Sequence, residues 1–380
     1  MDKIYDIIIV GSGPAGLSTA LHLNRFAPGF GLDTLILEKS RHPRPKLCAG
    51  GILAEGEAIL AKLGLDLKEV PHVDVEKALF NYEGRGLAAR FFNQKPIFRT
   101  VRRNEFDAWL VGKARERGIE IREEISIKKV ENFEEYALVK TDQGDFRAKM
   151  VVGADGSNSV VRRTVEQNPR SHVGRALEVI ASPKNGENET IASFDFLSVP
   201  KGISGYVWDF PAKIKGERMR CWGIYDSNIV NREGRAPLRQ VLADEMKRHG
   251  YSLDDYELKG HSIRWYEPTN TPAIPRVMLV GDALGVDALL GEGISPALGY
   301  GKVAAKEILR AFEKNDFSFQ RYKGRLLRSR LGGALWRRTF IAKFFYRIKN
   351  ARLQRIIWRR FGWLAGILGM IFVVGWEKKR

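Results

Sequence analysis

Cysteine is almost absent from this chain, with two in 380 residues, Cys48 and Cys221. Two thiols make no disulfide framework, and neither belongs to a Cys/His cluster with zinc-ligand spacing. Long apolar runs are lacking too. Gly362 to Gly375 is a stretch of fourteen uncharged residues, short of the roughly 20 that span a bilayer. The first apolar run, Ile7 to Val10, is too short for a secretory leader and continues into glycines. The expectation is a cytoplasmic protein with reduced thiols and no metal. Acidic residues are missing from one region. The chain carries 63 Lys+Arg against 45 Asp+Glu, a net charge of +18, yet Gln320 to Arg360 holds fourteen basic residues and no acidic one. The last four residues, Glu377 to Arg380, add +2, which leaves only +2 on the first 319 residues. A nearly neutral body disfavours nucleic acid as a partner. At 44% hydrophobic and 28% charged residues, disorder, collagen and simple repeat arrays are excluded. The length suits two or three domains with a core that needs no staples.

Ile7 to Val10 is β-branched throughout, as in a strand buried on both faces. Gly11-Ser12-Gly13-Pro14-Ala15-Gly16 follows, then an apolar helical pattern from Leu17 to Leu23. This is strand, G-x-G-x-x-G, helix. Gly11 permits the tight turn, Gly13 lets the backbone approach a pyrophosphate, and Gly16 lets helix and strand pack closely. Pro14 and Ala15 complete a cradle at the positive helix N-terminus. A second strand, Thr34 to Leu37, ends at Glu38-Lys39, where a carboxylate can accept the ribose hydroxyls of a dinucleotide. The other reading is a purely structural glycine turn.

Two further segments repeat the pattern. Met150 to Gly153 leads into Ala154-Asp155-Gly156-Ser157-Asn158-Ser159 and a helix. Val277 to Val280 leads into Gly281-Asp282-Ala283, then Gly291-Glu292-Gly293-Ile294 and an Ala-rich helix. The order G-x-G-x-x-G…E, G-A-D-G-x-x-S-x-V-R, G-D-A…G-E-G-I resembles the flavoprotein group of para-hydroxybenzoate hydroxylase-type monooxygenases and geranylgeranyl reductases. The resemblance covers residues 7 to about 310 and implies FAD. It places Asp282 on the ribityl chain, and Gly293 and Ile294 at the flavin ring, where a helix dipole favours the negative charge of reduction. Asp155 orders the turn beside the cofactor or is an ordinary turn residue. Arg103-Asn104-Glu105-Phe106-Asp107 resembles the group's R-x-x-F-D helix start, with Asn104 as cap and Arg103 near the ribose or pyrophosphate; Arg102 competes with it.

Within that group two segments lean toward the geranylgeranyl reductases. Pro45-Lys46-Leu47-Cys48-Ala49-Gly50-Gly51 is similar to their P-K-x-C-G-x-G loop beside the isoalloxazine, with Ala49 in place of a glycine. The resemblance places Cys48, Ala49 and Gly50 at the flavin and makes Cys48 a proton donor or positioning group; the plain alternative is an inert buried thiol. Gly205-Tyr206-Val207-Trp208-Asp209-Phe210-Pro211 is similar to the Y-x-W-x-F-P motif of prenyl reductases. Tyr206, Trp208 and Phe210 share one face of a strand, as a grip for an apolar chain or simply as core. Cys221 is expected to be structural. Asp287 to Leu290 departs from the proline common before G-E-G-I, so a looser loop is expected there.

The tail is basic and apolar. Trp336, Phe340, Phe344 and Ile341, Phe345, Ile348 recur at helical steps among arginines and lysines, which suits a helix lying on an anionic bilayer; the alternative is a helical cap with its aromatics buried against the body. The expected fold is α/β: a doubly wound FAD domain (1–75, 100–175, 270–319), an inserted antiparallel substrate domain (76–99, 176–269), and a helical membrane-associating region (320–380). The expected function is FAD-dependent reduction of isolated C=C bonds in a prenyl chain on a membrane lipid or isoprenoid. Competing readings are a flavin monooxygenase and a flavin-bearing module without catalysis. There is no second G-x-G-x-x-G, so electrons come from docked NAD(P)H, or from ferredoxin or another small redox partner.

Overall fold

The computed structural model describes residues 3–28, 31–90, 95–166, 172–230, 234–372 and 374–377. Residues 91–94 of the inserted segment and the basic 378–380 lie outside the described residues. In chain order the first part holds β1 (Ile4–Val10), α1 (Pro14–Phe26), β2 (Thr34–Leu37), β3 (Gly51–Leu53), α2 (Ala54–Lys62), β4 (His72–Val75), β5 (Lys77–Tyr82), β6 (Arg85–Ala89) and β7 (Phe98–Val101). Next come α3 (Arg103–Glu116), β8 (Glu120–Arg122), β9 (Ile127–Asn132), β10 (Ala137–Thr141), β11 (Asp145–Gly153) and α4 (Val160–Val165). They are followed by β12 (Val173–Ala181), β13 (Ile191–Asp195), β14 (Val207–Ile214), β15 (Glu217–Asp226), α5 (Leu238–Arg248), β16 (Lys259–Arg264), β17 (Ala273–Ile274), β18 (Val277–Leu279) and α6 (Ile294–Lys314). The tail forms α7 (Tyr322–Arg328), α8 (Arg330–Phe345), α9 (Ala351–Arg359) and α10 (Gly362–Phe372).

Three sheets carry the architecture. In the first, β18, β11, β1, β2 and β8 run parallel in that order, with β17 antiparallel at one edge and β10 and β9 added antiparallel through β11. Its central strands are the β-branched runs, and Ile7, Ile8, Ile9, Val151 and Val152 are all fully buried, as in a parallel sheet covered on both faces. The second sheet has the order β16-β12-β15-β14-β13-β5-β6, antiparallel except for the parallel pair β13–β5. A small antiparallel sheet, β3-β7-β4, bridges the two. Residues 77–89 of the early inserted segment thus join the second sheet, while Phe98 and Arg99 at its end pair with β3 and β4.

The second sheet is buried on both sides. One face packs under α5 through Trp222, Ile224, Val241 and Leu242. The other carries Phe194, Tyr206, Trp208 and Phe210 and is roofed by Ala342, Tyr346 and Trp358 of the tail. The expectation of a helical cap over the body is met for part of the tail, and the remaining aromatics lie uncovered. The inner surface of α8 is core, whereas Trp336, Phe340 and Phe344 on its outer face are 51%, 63% and 68% exposed. Among the described residues no helix is long and apolar enough to cross a membrane.

Candidate functional site

The first turn after β1 is built as its glycines require. Gly11 has φ +103, and a Cβ there would stand 2.5 Å from the Ala154 carbonyl oxygen; only glycine takes this conformation freely. A Cβ on Gly16 would lie 2.0 Å from the Gly11 carbonyl oxygen, so any side chain would push α1 off β1. Gly13 caps α1, with Pro14 opening the helix, and its missing side chain faces open space with only an Arg44 nitrogen 3.9 Å away. That space is a cleft of about 330 Å³ lined by Gly11, Gly13, Pro14, Ala15, Glu38 and Lys39 on this side. Gly16 lies beneath it. Glu38 is held at the rim: it accepts the Ser12 amide at 2.9 Å, the Ser12 hydroxyl at 2.8 Å and the Ser40 amide at 3.1 Å.

Arg103, Asp155, Asp282, Gly293 and Ile294 line the far side of the cleft. Arg103 is buried and forms two parallel hydrogen bonds to Asp107, at 2.7 and 2.8 Å. Burial opposes its charge, but the Asp107 carboxylate outweighs that and raises its pKa, so the guanidinium stays cationic. Arg102 is not part of the cleft lining. Asn104 is not the helix cap: Arg102 holds that position without a side-chain bond, because the first turn of α3 is organised by the Arg103–Asp107 pair. Asp155 accepts the Val160 amide at 2.6 Å and the Ser159 hydroxyl at 2.5 Å, closing the start of α4. Gly293 caps α6 with no side chain over its first amides, which leaves a helix N-terminus open toward the cleft. Burial raises the pKa of Asp282, against the pull of Lys46, Arg103 and Arg264. A glycine turn with no side chain in the way, an open helix N-terminus and a carboxyl in the cleft wall fit a dinucleotide such as FAD.

A second cavity, about 110 Å³, adjoins the cleft, and Cys48, His261, Ile263, Gly291, Gly293 and Ile294 line both. The Cys48 sulfur accepts the Gly50 amide at 3.3 Å. Burial raises its pKa, so the thiol stays protonated. Ala49 and Gly50 border the second cavity but not the cleft. Gly50 has φ +81, with the Val101 carbonyl oxygen 1.9 Å from where a Cβ would be. The opposite wall is aromatic: Tyr206, Trp208 and Phe210 with Phe194 and Phe98. Tyr206 donates its hydroxyl to the Leu290 carbonyl at 2.5 Å. Phe210 lies 4.8 Å from Phe194 and 5.4 Å from Phe98, ring centre to ring centre. Trp208 lies across Gly223, where a Cβ would meet the indole at 2.1 Å. Cys221 is fully buried on β15 behind the aromatic wall and lines neither cavity.

The loop before G-E-G-I is not loose. Asp287, fully buried, accepts the Leu289 and Leu290 amides at 2.8 and 3.2 Å. Arg338 of α8 reaches Asp287 at 3.4 Å and Glu292 at 2.7 Å. An aspartate turn and a distant arginine thus replace the stiffness of a proline. Sequence reasoning missed His261, Phe194 and Phe98, which no motif marks; they lie on β16, β13 and β7, and their place along those strands was the available signal. Burial, with Lys46 and Arg103 nearby, lowers the pKa of His261 to about 4.

Comparison with known proteins fits this geometry. Residues 4–188 match the FAD binding domain family. An uncharacterised protein of Methanosarcina barkeri is 31% identical over 350 residues, covering 90% of this chain and 84% of that one. A digeranylgeranylglycerophospholipid reductase of Methanopyrus kandleri is 28% identical over 383 residues, covering 92% and 86%. The crystal structure of a geranylgeranyl bacteriochlorophyll reductase-like protein from Thermoplasma acidophilum superposes with a TM-score of 0.74 at 23% identity, over 97% of this chain and 99% of that one. The halogenase PltM superposes with a TM-score of 0.71 at 18% identity, over 97% and 82%.

Proposed function

Since the chain belongs to the geranylgeranyl reductase family of FAD-dependent, hydroxylase-type flavoproteins, we propose that it saturates isolated C=C bonds in a prenyl chain carried by a membrane lipid or isoprenoid. One observation carries this reading: the dinucleotide cleft and an aromatic, largely apolar cavity meet at Cys48 and Gly293. Bound FAD, once reduced, supplies a hydride. The protein supplies position and a dry site, which is most of what an unactivated alkene needs.

On this reading the glycine turn and α1 hold the pyrophosphate, Glu38 the ribose, Asp282 the ribityl chain, and the N-terminus of α6 the ring. Phe210, Phe194 and Trp208 align the alkene across from Cys48, whose protonated thiol stands where the second carbon must gain a proton. The lipid would be met at a bilayer. Leu353, Ile356, Phe361, Trp363 and Leu364 of the segment after α8 are exposed apolar side chains, as are those on its outer face. Arg337, Arg347, Arg352, Arg355 and Arg360 stand among these residues in the sequence, as anionic headgroups favour.

Mass spectrometry tests the reading. Chemically reduced, FAD-loaded protein incubated anaerobically with vesicles of geranylgeranyl phospholipid should add two hydrogens per double bond. Oxygen-dependent gain of one oxygen atom would make it a monooxygenase instead, and no turnover of lipid or phenol would leave a flavin-bearing module.

A further inference from the structure

Glu178 sits in mid-strand on β12 with 2% of its surface exposed. A carboxyl buried so deeply is costly unless it is fully paired. Glu178 is only half satisfied. One oxygen accepts the Cys48 amide at 3.3 Å, while Oε2 is buried with no hydrogen-bond partner. Among the described residues no cation comes within ion-pair distance of it. Charged groups face it from three elements: Arg102 ahead of α3, Lys46 from the Cys48 loop and Lys259 from β16. Cys221, from β15, is the neighbouring thiol.

Glu178 lines neither cavity, and its place on the sheet puts it on the face that bounds the site. Ala176, two residues earlier on the same face, lines the aromatic cavity. Across the sheet Glu178 is in register with Gly223, and Gly223 with Trp208. Burial pushes the pKa of Glu178 up, against Arg102 and the Cys48 amide, so the group is biased toward the neutral acid.

We infer that Glu178 is the proton-holding residue of the site, a carboxylic acid kept behind the Cys48 loop that recharges the Cys48 thiol. The inference rests on the reductase reading for its hydride. In the balanced step the alkene π bond breaks, the hydride forms one C–H bond, and the thiol proton forms the other. The Glu178 O–H bond breaks to restore the S–H, and the carboxylate regains its proton from water. Glu178 acts through Cys48, so it is a positioning and relay group rather than a contact of the substrate.

The test uses full-length, FAD-loaded protein in three forms: wild type, Glu178→Gln and Glu178→Asp. Infrared spectra at neutral pH should contain a protonated-carboxyl C=O band that is missing from Glu178→Gln. With geranylgeranyl phospholipid vesicles under anaerobic reduction, Glu178→Gln should lose on the order of 100-fold in saturation rate, the usual scale of general acid catalysis, with FAD content unchanged. Glu178→Asp should recover part of the rate. The wild-type rate should fall as pH rises through the titration of the acid, and the Gln variant should lack that limb. An infrared spectrum with no difference at neutral pH would mean an ionised Glu178 that serves Arg102, and would overturn the inference. So would saturation by Glu178→Gln at the wild-type rate. If wild type reduces no lipid, the reductase reading falls separately, and the infrared band still decides whether Glu178 holds a proton.

Discussion

At the scale of single residues, the glycines of the first turn do different work. Gly16 is the most constrained, because its Cβ position lies 2.0 Å from backbone that cannot move aside. Gly16→Ala should destabilise the protein by roughly 1–3 kcal/mol, as overpacking does, and should release FAD; denaturant unfolding and the bound-flavin absorbance check the two parts. His22 gives a second prediction. It is buried between α1 and its surroundings, and its ring nitrogen bonds the Ser18 carbonyl at 2.8 Å. Burial, helped by Lys302, lowers its pKa to about 4. The folded state therefore holds His22 neutral while the unfolded chain protonates near pH 6.5. Stability from this group is complete above pH 6.5 and is lost as pH falls toward 4. Between pH 7 and pH 4.5 wild type should lose about 2–3 kcal/mol more than His22→Gln, as read from unfolding free energies at the two pH values. The raised acids, Asp282 among them, move the opposite way, so only the difference between the two proteins isolates His22. The turn glycines and Glu38 were legible in the sequence because their spacing is local. His261 was not, since what marks it is the meeting of two cavities across separate elements.

At the scale of elements, strands and helices flanking each glycine turn followed from β-branched runs and helical periodicity, and Tyr206, Trp208 and Phe210 were legible as one strand face. The stiffness of the loop ahead of α6 was not. It depends on Arg338, some fifty residues downstream, whose guanidinium is 1% exposed and bound to Asp287 and Glu292. Tyr346, the residue that caps the C-terminus of α8, donates its hydroxyl to the Leu289 carbonyl at 2.5 Å. The helix thus pins the segment that ends at Gly293. Arg338→Met removes the positive partner and leaves two buried carboxyls uncompensated, which typically costs 3–5 kcal/mol. The expected outcome is a lower melting temperature together with faster loss of FAD on dilution. Loss of stability with flavin retained as in wild type would show that the loop holds its shape without α8.

At the scale of the whole molecule, the uneven charge and the two-faced tail belong together. Composition alone left open whether the tail's aromatics meet lipid or protein, because helical periodicity reports an apolar stripe and not what covers it. In the folded chain two stripes coexist. Ala342, Tyr346 and Trp358 complete the core over the second sheet; Trp336, Phe340 and Phe344 point outward, with Trp336 and Phe340 stacked 6.1 Å apart. Near the end of the chain, Trp376 packs against Gly299 of α6, and Glu377 holds Lys302 at 3.0 Å. Deleting the tail would therefore strip the core and could not isolate a membrane role. Substituting only the outer face can. The triple variant Trp336→Ser, Phe340→Ser, Phe344→Ser removes exposed apolar area and no core contact, so its melting temperature and FAD content should match wild type. Its partitioning to vesicles containing anionic lipid should fall by at least tenfold, since burying one such ring in the interface contributes on the order of 1.5–3 kcal/mol. Wild-type binding should weaken with added salt as screening removes the arginine contribution. Partitioning of the triple variant equal to wild type would mean that the outer face of α8 does not meet the bilayer, and the prenyl chain would have to be delivered from elsewhere.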